Sequence, residues 1–321
     1  MDDKNLKGHI SLLIAYLIFG LNTPIAKEVL SHGEVSAVAL TFFRMAGGAV
    51  LFWMASLFTK EETVSRRDLF LLFWASMFGI IINQFPFIIG LSLTSPIDAS
   101  VITTLGPIIT MLLAALFLKE PITWKKAIGV LVGASGALLL VFNSTTVDRG
   151  GSSVTGNLLC ILSGISFAVY LTAFKKLILT YSPMTLMKWM FLFATVCSLP
   201  FSWGDVAQIR YAELPLNMYL EIGFVVVVAT FVSYLLIPVG QKLLRPTIVS
   251  MYNYLQPLVS SLLAVALGMD IFGWLKSSAA ILVFLGVYIV TKSKSLAQLE
   301  AEKQHADMLN TPNKLNVDKR K

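Results

Sequence analysis

The sequence predicts an all-α integral membrane protein with ten transmembrane helices, built from two inverted repeats of five helices each. Of its 321 residues, 56% are hydrophobic and only 13% are charged, whereas about 25% of the residues in a soluble domain are charged. The apolar runs continue for about 20 residues, which is the length that an α-helix needs to cross a bilayer. Membrane β-strands would instead alternate over about ten residues, so the pattern favours helices.

A gapless internal repeat at an offset of 150 residues is the second observation. Between residues 90 and 140, 12 of 51 residues are identical to the residue 150 positions later. The identical pairs include Pro107 with Pro257 and Trp124 with Trp274, which an apolar bias alone does not align. Because each repeat holds five spans, the second copy must cross the bilayer in the opposite direction. Inverted helical repeats are typical of secondary transporters.

The apolar runs define the predicted spans in chain order. They cover residues 9–30, 35–58, 68–92, 99–118, 123–142, 156–179, 185–203, 216–238, 247–269 and 272–290. The first run is longer than the core of a signal peptide, so we expect it to be retained. Residues 143–155 are rich in Gly, Ser and Thr and are expected to link repeats of residues 1–147 and 148–294. Residues 295–321 form a polar tail that is expected to be cytoplasmic.

Basic residues predict the orientation of these spans, because cytoplasmic loops carry most of the Lys and Arg. If the N-terminus is cytoplasmic, 19 of the 25 basic residues fall in cytoplasmic segments and four fall on the opposite side. The other two, Arg44 and Lys188, fall inside spans. Both termini are therefore predicted to be cytoplasmic.

Polar residues near the middle of the spans are candidates for lining a central cavity, since polar groups in hydrocarbon need partners. These candidates are Asn22, Arg44, Asn83, Gln84, Thr103, Thr104, Tyr170, Tyr234, Tyr252, Asn253 and Gln256. For each of them, bonding between helices without ligand contact is the alternative. Arg44 in particular is expected either to bond helix-end carbonyls or to bind a carboxylate or phosphate of a substrate.

Two pairs of equivalent residues suggest conformational roles. Pro107 and Pro257 are predicted to lie in the middle of their spans, where proline removes a backbone hydrogen bond and kinks a helix. They are candidates for gating, and a tolerated kink is the alternative. Glu120 and Asp270 end equivalent helices, where an acid opposes the helix dipole. We expect a nearby lysine, or the start of the next helix, to compensate.

The sequence shows no motif of an enzyme or of a cofactor site. His9, His32 and His305 are scattered, and there is no HExxH, GxSxG or Walker motif. Cys160 and Cys197 do not form a CxxC pair and are expected to be packing residues. The sequence therefore predicts no catalytic, cofactor or metal site. The excess of basic residues is explained by membrane topology and does not indicate nucleic-acid binding.

Several short motifs, in order along the chain, resemble the drug/metabolite transporter superfamily in its ten-helix form of two EamA-type repeats. The motifs are Phe19-Gly20-Leu21-Asn22, Arg44, Leu105-Gly106-Pro107, Leu116-Phe117-Leu118-Lys119-Glu120, and the glycine-rich stretch from Gly129 to Gly136. The resemblance covers about residues 8–292. The chain departs from the family pattern where Phe19 replaces a tryptophan and Asp270 replaces a second glutamate, and it has no counterpart of Arg44 in the seventh span.

The resemblance implies a transporter in a bacterial-type plasma membrane that exports a small metabolite, such as an amino-acid-like solute. Its partners would be the lipid bilayer and a small-molecule substrate. One alternative is an integral-membrane enzyme acting on lipid-linked substrates, which would need paired carboxylates or histidine clusters. The other is a membrane scaffold without transport, which would spread polar residues over many spans. The sequence does not determine the oligomeric state.

The predicted topology is testable with single cysteines at Gly150 and Lys314, in a background without Cys160 and Cys197. Because the first position lies between the repeats and the second in the tail, an impermeant maleimide should label them from opposite sides of sealed cells. Labelling of both positions from the same side would contradict the ten-span arrangement.

Overall fold

The computed structural model of the chain describes residues 3–93, 102–142, 154–266, 274–294 and 298–301, which contain helices and no strands. In chain order the helices are α1 (Asp3–Ser31), α2 (Ala37–Ser56), α3 (Arg66–Ser76), α4 (Ile82–Leu93), α5 (Gly106–Leu118), α6 (Trp124–Phe142), α7 (Val154–Ala173), α8 (Lys175–Thr180), α9 (Pro183–Ala207), α10 (Leu216–Gly223), α11 (Ser233–Leu243), α12 (Pro246–Met251), α13 (Leu255–Ala266) and α14 (Trp274–Thr291). The π-helices Met77–Ile81 and Phe224–Val232 join α3 to α4 and α10 to α11, and a 3-10 helix, Tyr252–Tyr254, joins α12 to α13.

The helical class and the membrane character predicted from the sequence are confirmed. Within the described residues, six helical stretches are long and apolar enough to cross a membrane, judged by length and composition. They are residues 3–30, 37–56, 66–90, 154–173, 183–207 and 216–243. Shorter apolar helices occupy Gly106–Leu118 and Ser277–Thr291. The ten-span arrangement stays a prediction. The linker up to residue 153, the boundary at residues 147 and 148, Asp270 and most of the tail lie outside the described residues.

Two predicted spans are interrupted. The predicted sixth span is divided by a turn at Phe174, between α7 and α8. In the predicted fourth span, residues 102 and 103 are helical, a turn follows at residues 104 and 105, and α5 begins at Gly106, while residues 99–101 lie outside the described residues. Proline has no N–H, and the first turn of a helix is where that donor has no helical acceptor, so Pro107 favours a helix start there.

Serine residues begin three of the helices. The side chains of Ser36, Ser65 and Ser182 accept hydrogen bonds from the N–H groups three residues later, at 3.0, 3.1 and 3.2 Å. Such caps satisfy backbone donors at the helix start, and each contributes about 1 kcal/mol. They define the starts of α2, α3 and α9.

A loop carboxylate ties the start of α9 to the segment before α3. Glu62 accepts hydrogen bonds from the Ser182 N–H at 2.9 Å and from the Ser182 hydroxyl at 2.8 Å. Partial burial acts to raise the pKa of Glu62, but hydrogen bonds from Thr185 and Ser182 outweigh it and hold the pKa below its ordinary value. The carboxylate is therefore ionised where it caps the helix, near the positive end of the helix dipole.

Glycines bring α6 and α14 into close antiparallel contact. A Cβ atom on Gly286 would lie 2.5 Å from the Gly133 nitrogen and 2.6 Å from the Gly129 carbonyl oxygen. A Cβ atom on Gly136 would lie 2.8 Å from the Ala279 carbonyl oxygen. Later positions of α6 thus meet earlier positions of α14. Small residues allow such backbone contact, which drives helix association in lipid.

A second pair of glycines allows two further helix contacts. A Cβ atom on Gly90 of α4 would lie 2.8 Å from the Gly156 carbonyl oxygen and 2.8 Å from the Cys160 sulfur, both on α7. Gly240 of α11 faces Leu12 of α1 in the same way. Cys160 is buried and forms no disulfide bond within the described residues, as expected for a packing residue.

Aromatic rings fill the core where α2, α9 and α11 meet. The Phe52 ring lies 5.2 Å from the Phe191 ring and 4.8 Å from the Phe231 ring, measured between centroids. The Tyr234 ring meets Phe191 edge-on at 5.0 Å. Phe231 belongs to the second π-helix, so the core extends from α2 to that segment.

Replacing Gly286 with alanine should separate α6 from α14, because the added methyl group would overlap the backbone of Gly129 and Gly133. We expect the free energy of unfolding in detergent to fall by about 1–3 kcal/mol. Gly164→Ala is the matched control, since its Cβ atom would meet nothing within 4 Å. This control should be neutral or slightly stabilising, because alanine favours helix by about 1 kcal/mol. Equal unfolding curves for the two variants would contradict this packing.

Candidate functional site

The two π-helices occupy equivalent positions in the repeat. Residues 77–81 correspond to residues 227–231 at the offset of 150, and these lie within the second π-helix, Phe224–Val232. A π-helix is rare and is often found at functional sites. Its occurrence at both equivalent positions places the two irregular segments at the centre of the candidate site.

Hydroxyl groups donate hydrogen bonds to carbonyls in or beside the two π-helices. Ser166 of α7 donates a hydrogen bond to the Phe78 carbonyl at 2.7 Å. Thr230 donates to the Val225 carbonyl, five residues earlier, at 2.8 Å. Sequence reasoning did not select Ser166 or Thr230, because small hydroxyl residues within apolar helices usually bond their own backbone.

Gln84 and Tyr234, both predicted cavity residues, bond to each other directly after the π-helices. The Gln84 amide nitrogen donates to the Tyr234 hydroxyl at 2.9 Å. These residues are equivalent at the offset of 150. The side-chain amide oxygen of Gln84, Oε1, is buried and finds no hydrogen-bond partner among the described residues. The Phe19 ring lies 5.9 Å from the Tyr234 ring, measured between centroids, so an aromatic side chain adjoins this polar pair.

A second pair of equivalent residues joins the irregular starts of α5 and α13. The Tyr254 hydroxyl donates to the Thr104 carbonyl at 3.0 Å. Thr104 lies in a turn that precedes α5, and Tyr254 ends the 3-10 helix that precedes α13. The predicted fourth and ninth spans are therefore discontinuous at matching places, and their discontinuities touch.

The prolines lie beside these discontinuities and not in the middle of a helix, which corrects the prediction. Pro107 is the second residue of α5 and Pro257 is the third residue of α13. A proline in the first helical turn costs no helical hydrogen bond, because the N–H groups there have no acceptor within the helix. A gating role for the two prolines stays a prediction.

Arg44 contacts the second π-helix. Its Nε donates to the Thr230 hydroxyl at 3.0 Å. The observed partner is a side-chain hydroxyl, whereas the structural alternative predicted helix-end carbonyls. Lys188, the other cation predicted inside a span, lies 4.9 Å over the Trp53 ring.

Asn83 and Tyr170 make bonds between helices. The Asn83 amide donates to the Ser163 carbonyl and hydroxyl, both at 3.2 Å, and the Ser163 hydroxyl donates back to the Asn83 carbonyl at 2.6 Å. The Tyr170 hydroxyl donates to the Gln241 side-chain oxygen at 3.1 Å. These contacts fit the alternative of helix association for both residues.

The other predicted cavity residues divide between the centre and its edges. The Asn22 side-chain oxygen is buried and finds no partner within the described part of the chain. Asn253 and Gln256 bond each other at 3.4 Å, and the Thr103 side chain is exposed. The Tyr252 hydroxyl lies 2.7 Å from the His9 ring nitrogen Nδ1. The structure thus pairs Gln84 with Tyr234 and Thr104 with Tyr254, and places Arg44 against the second π-helix.

A buried ion pair lies at one end of the bundle. The Lys126 ammonium contacts the Glu120 carboxylate at 2.7 Å, and their side chains are only 1% and 13% exposed. This pair confirms the expectation that a lysine compensates the acid at the end of α5. The corresponding Asp270 lies outside the described residues.

Two further cations near this pair bond the ends of helices. Lys175 donates to the Leu244 carbonyl at 2.9 Å and also bonds the Gln241 carbonyl. Arg245 donates to the Val290 carbonyl at 3.1 Å and to the Ser293 carbonyl at 2.9 Å. The charge of the Glu120 carboxylate acts on both cations, but among the described residues only Lys126 forms an ion pair with it. Three cations thus gather near one carboxylate at this end of the bundle.

Comparison with known proteins gives matches along nearly the whole chain. The model of the EamA-like transporter family matches residues 6–142 and 154–292. The uncharacterized transporter YyaM of Bacillus subtilis is 23% identical over 306 residues, covering 94% of this chain and 99% of its own. An uncharacterized transporter of Archaeoglobus fulgidus is 26% identical over 289 residues, covering 90% and 100%.

Two further comparisons concern location and fold. The uncharacterized inner membrane transporter YicL of Salmonella typhimurium is 22% identical over 304 residues, covering 93% of this chain and 97% of its own. A solved crystal structure with 17% identity matches with a TM-score of 0.72, covering 95% of this chain and 99% of that chain. The TM-score shows a shared fold.

Removing the partner of Arg44 tests its structural role. Thr230→Val leaves the charged donor without its acceptor, so we expect the free energy of unfolding to fall by about 1–3 kcal/mol. Thr195→Val is the matched control, because that hydroxyl bonds only the Phe191 carbonyl within its own helix. Arg44→Ala should destabilise the protein, and Arg44→Lys should restore only part of the loss, because lysine lacks the planar fork. Stability equal to the parent in all three test variants would contradict a structural role.

Proposed function

Because the chain belongs to the EamA-like transporter family, we propose that it is a secondary active transporter, which exports a small organic solute by alternating access. The resemblance to the drug/metabolite transporters is thereby confirmed, and the chain is a multi-pass membrane protein. Its inner-membrane relative supports a location in a bacterial-type plasma membrane.

The proposed architecture is ten spans in two inverted repeats. Its support is the reciprocity of the helix contacts. Gly136 packs on Ala279. Its equivalent, Gly286, packs on Gly129, which is the equivalent of Ala279. Gly90 and its equivalent, Gly240, likewise pack on α7 and α1, which are the first helices of the two repeats. Since α6 and α14 are equivalent yet antiparallel, a two-fold axis between them would lie in the membrane plane, as inverted repeats require.

The contact between Gln84 and Tyr234 is the observation that carries the proposed site. Equivalent residues that bond each other must lie on or near the axis that relates the two repeats. A site on this axis borders both halves, so exchanging the conformations of the halves would expose it first to one side and then to the other. The amide and hydroxyl groups beside an aromatic side chain suit a small solute that has both polar and apolar parts.

The Glu120 network supplies a closure for one end of the proposed pathway. Under the predicted orientation this end faces the cytoplasm. The Lys126–Glu120 ion pair lies within the first repeat and the Lys175–Leu244 hydrogen bond lies within the second, and the charge of Glu120 acts on Lys175 between them. Alternating access requires such interactions between repeats to break when this end opens. The transporter names of the relatives favour this function over the membrane enzyme and the scaffold.

The proposed function is tested by screening small organic solutes for thermal stabilisation of the purified protein, followed by counterflow in proteoliposomes. A solute that binds the native state raises its apparent stability. Tyr234→Phe should weaken the affinity for the selected solute by roughly three- to tenfold, because one hydrogen bond is lost. Tyr219→Phe removes an exposed hydroxyl and is the control. Transport with equal affinity in both variants would exclude this central site.

The repeated prolines are expected to influence opening in opposite directions, because they occupy equivalent places in the two halves. Pro107→Ala and Pro257→Ala should preserve solute binding, slow transport and bias the protein toward opposite facing states. Cysteines replacing Asn83 and Tyr234, one in each half and in a background without native cysteines, would report the change through their labelling rates from each side. Pro183→Ala changes a first-turn proline outside the repeated discontinuity and is the control. Parental transport and labelling in both test variants would contradict a gating role.

A further inference from the structure

A groove opens on the outer surface of the bundle between α1, α13 and α14. Its apolar walls include Leu6, Ile10 and Leu13 of α1 and Phe284 and Val287 of α14. Leu6, Ile10 and Phe284 are exposed, so in a membrane the groove faces lipid. Its volume of about 200 Å³ corresponds to roughly seven water molecules of about 30 Å³ each, which suits a short-chain or single-ring molecule.

The lining of the groove is almost wholly apolar, but two polar side chains lie at its base. His9 and Tyr252 both line the groove, and the Tyr252 hydroxyl lies 2.7 Å from the His9 Nδ1. A phenol is the better donor and an imidazole nitrogen the better acceptor, so the hydroxyl donates to Nδ1 and the proton of the ring sits on Nε2. The Nε2 atom is buried and finds no acceptor among the described residues. A hydrogen-bond acceptor on a ligand would remove the cost of this unmet donor.

The charges at this end of the molecule favour an anionic acceptor. Lys4 and Lys7 are exposed on α1 just before His9, and Lys292 follows the wall residues of α14. Asp3 is the opposing charge at the start of α1. An N–H group bonds a carboxylate about twice as strongly as it bonds a neutral oxygen. The groove therefore fits a molecule with a carboxylate head and an apolar body.

A row of aromatic rings connects the floor of the groove with the central pair. Centroid distances are 6.1 Å from Tyr252 to Tyr16, 5.7 Å from Tyr16 to Phe19, and 5.9 Å from Phe19 to Tyr234. We propose that the groove binds a small amphipathic organic acid from the adjoining lipid leaflet and is its entrance to the central site. Binding in the groove stands by itself, whereas passage to the centre rests on the proposed transport function.

The test uses the full chain in nanodiscs and a decanoic acid that carries a photoreactive diazirine near its chain end. Labelled peptides are identified by mass spectrometry, and unlabelled decanoic acid competes for the site. We expect label on α1 and α14 around the groove. Leu13→Trp should abolish it by filling the groove. His9→Phe should weaken competition by about tenfold, because it removes a hydrogen bond to a charged group.

Three controls make the result specific to the groove. His9→Gln keeps a hydrogen-bond donor and should retain most of the labelling. This variant still tests the role of the donor if His9→Phe fails to fold. His32→Phe changes an exposed histidine at the other end of α1 and should have no effect. The corresponding photoreactive decanol, which lacks the charge, should label more weakly than the acid.

Label spread over all lipid-facing helices, or label unchanged by Leu13→Trp and by His9→Phe, would overturn the proposed site. Equal labelling by the acid and the alcohol would overturn the assignment of a carboxylate. Labelling does not require transport, so the proposed function fails separately if no solute is moved. Transport of decanoic acid that is insensitive to Leu13→Trp would overturn the role as an entrance.

Discussion

The need to satisfy every backbone carbonyl inside an apolar helix governs the centre of this molecule. Lipid offers no donor, so each carbonyl that an irregular segment frees must find one within the protein. Ser166 supplies a donor to the first π-helix, Thr230 to the second, and Tyr254 to the turn at Thr104. The contacts from Ser166 and Tyr254 are made by other helices, so satisfying the backbone also sets which helices adjoin. The irregular segments therefore specify the packing instead of weakening it.

Equivalent residues that meet near the proposed two-fold axis have diverged into complementary pairs. Two identical groups placed face to face present the same donor or acceptor to each other. In the present chain an amide meets a hydroxyl at Gln84 and Tyr234, and a tyrosine hydroxyl meets a backbone carbonyl at Tyr254 and Thr104. The duplication thus supplied matched geometry, and substitution then supplied chemical complementarity. The same divergence leaves the Gln84 side-chain oxygen buried and without a partner among the described residues.

Charge and small side chains act at different places in the bundle. Backbone contact at Gly129, Gly136 and Gly286 allows dispersion forces to hold α6 against α14, which matters because lipid gives apolar helices little hydrophobic reason to associate. Cations instead gather at one end, where Lys175 and Arg245 bond the carbonyls at helix C-termini and complement the helix dipoles. Both cations feel the charge of Glu120, so segments of both repeats lie near each other at this end.

By itself the sequence determined the membrane class, the helical content, the family and the pairing of equivalent positions, because composition and a repeat are properties of the chain order. It also selected Gln84 and Tyr234, since polar groups in apolar segments must have a reason to be there. Only the tertiary structure decided that these two residues bond each other, that Asn83 serves helix association, and that Pro107 begins a helix. Those outcomes depend on which donor of one helix reaches which carbonyl of another, and such distances are set by packing in three dimensions.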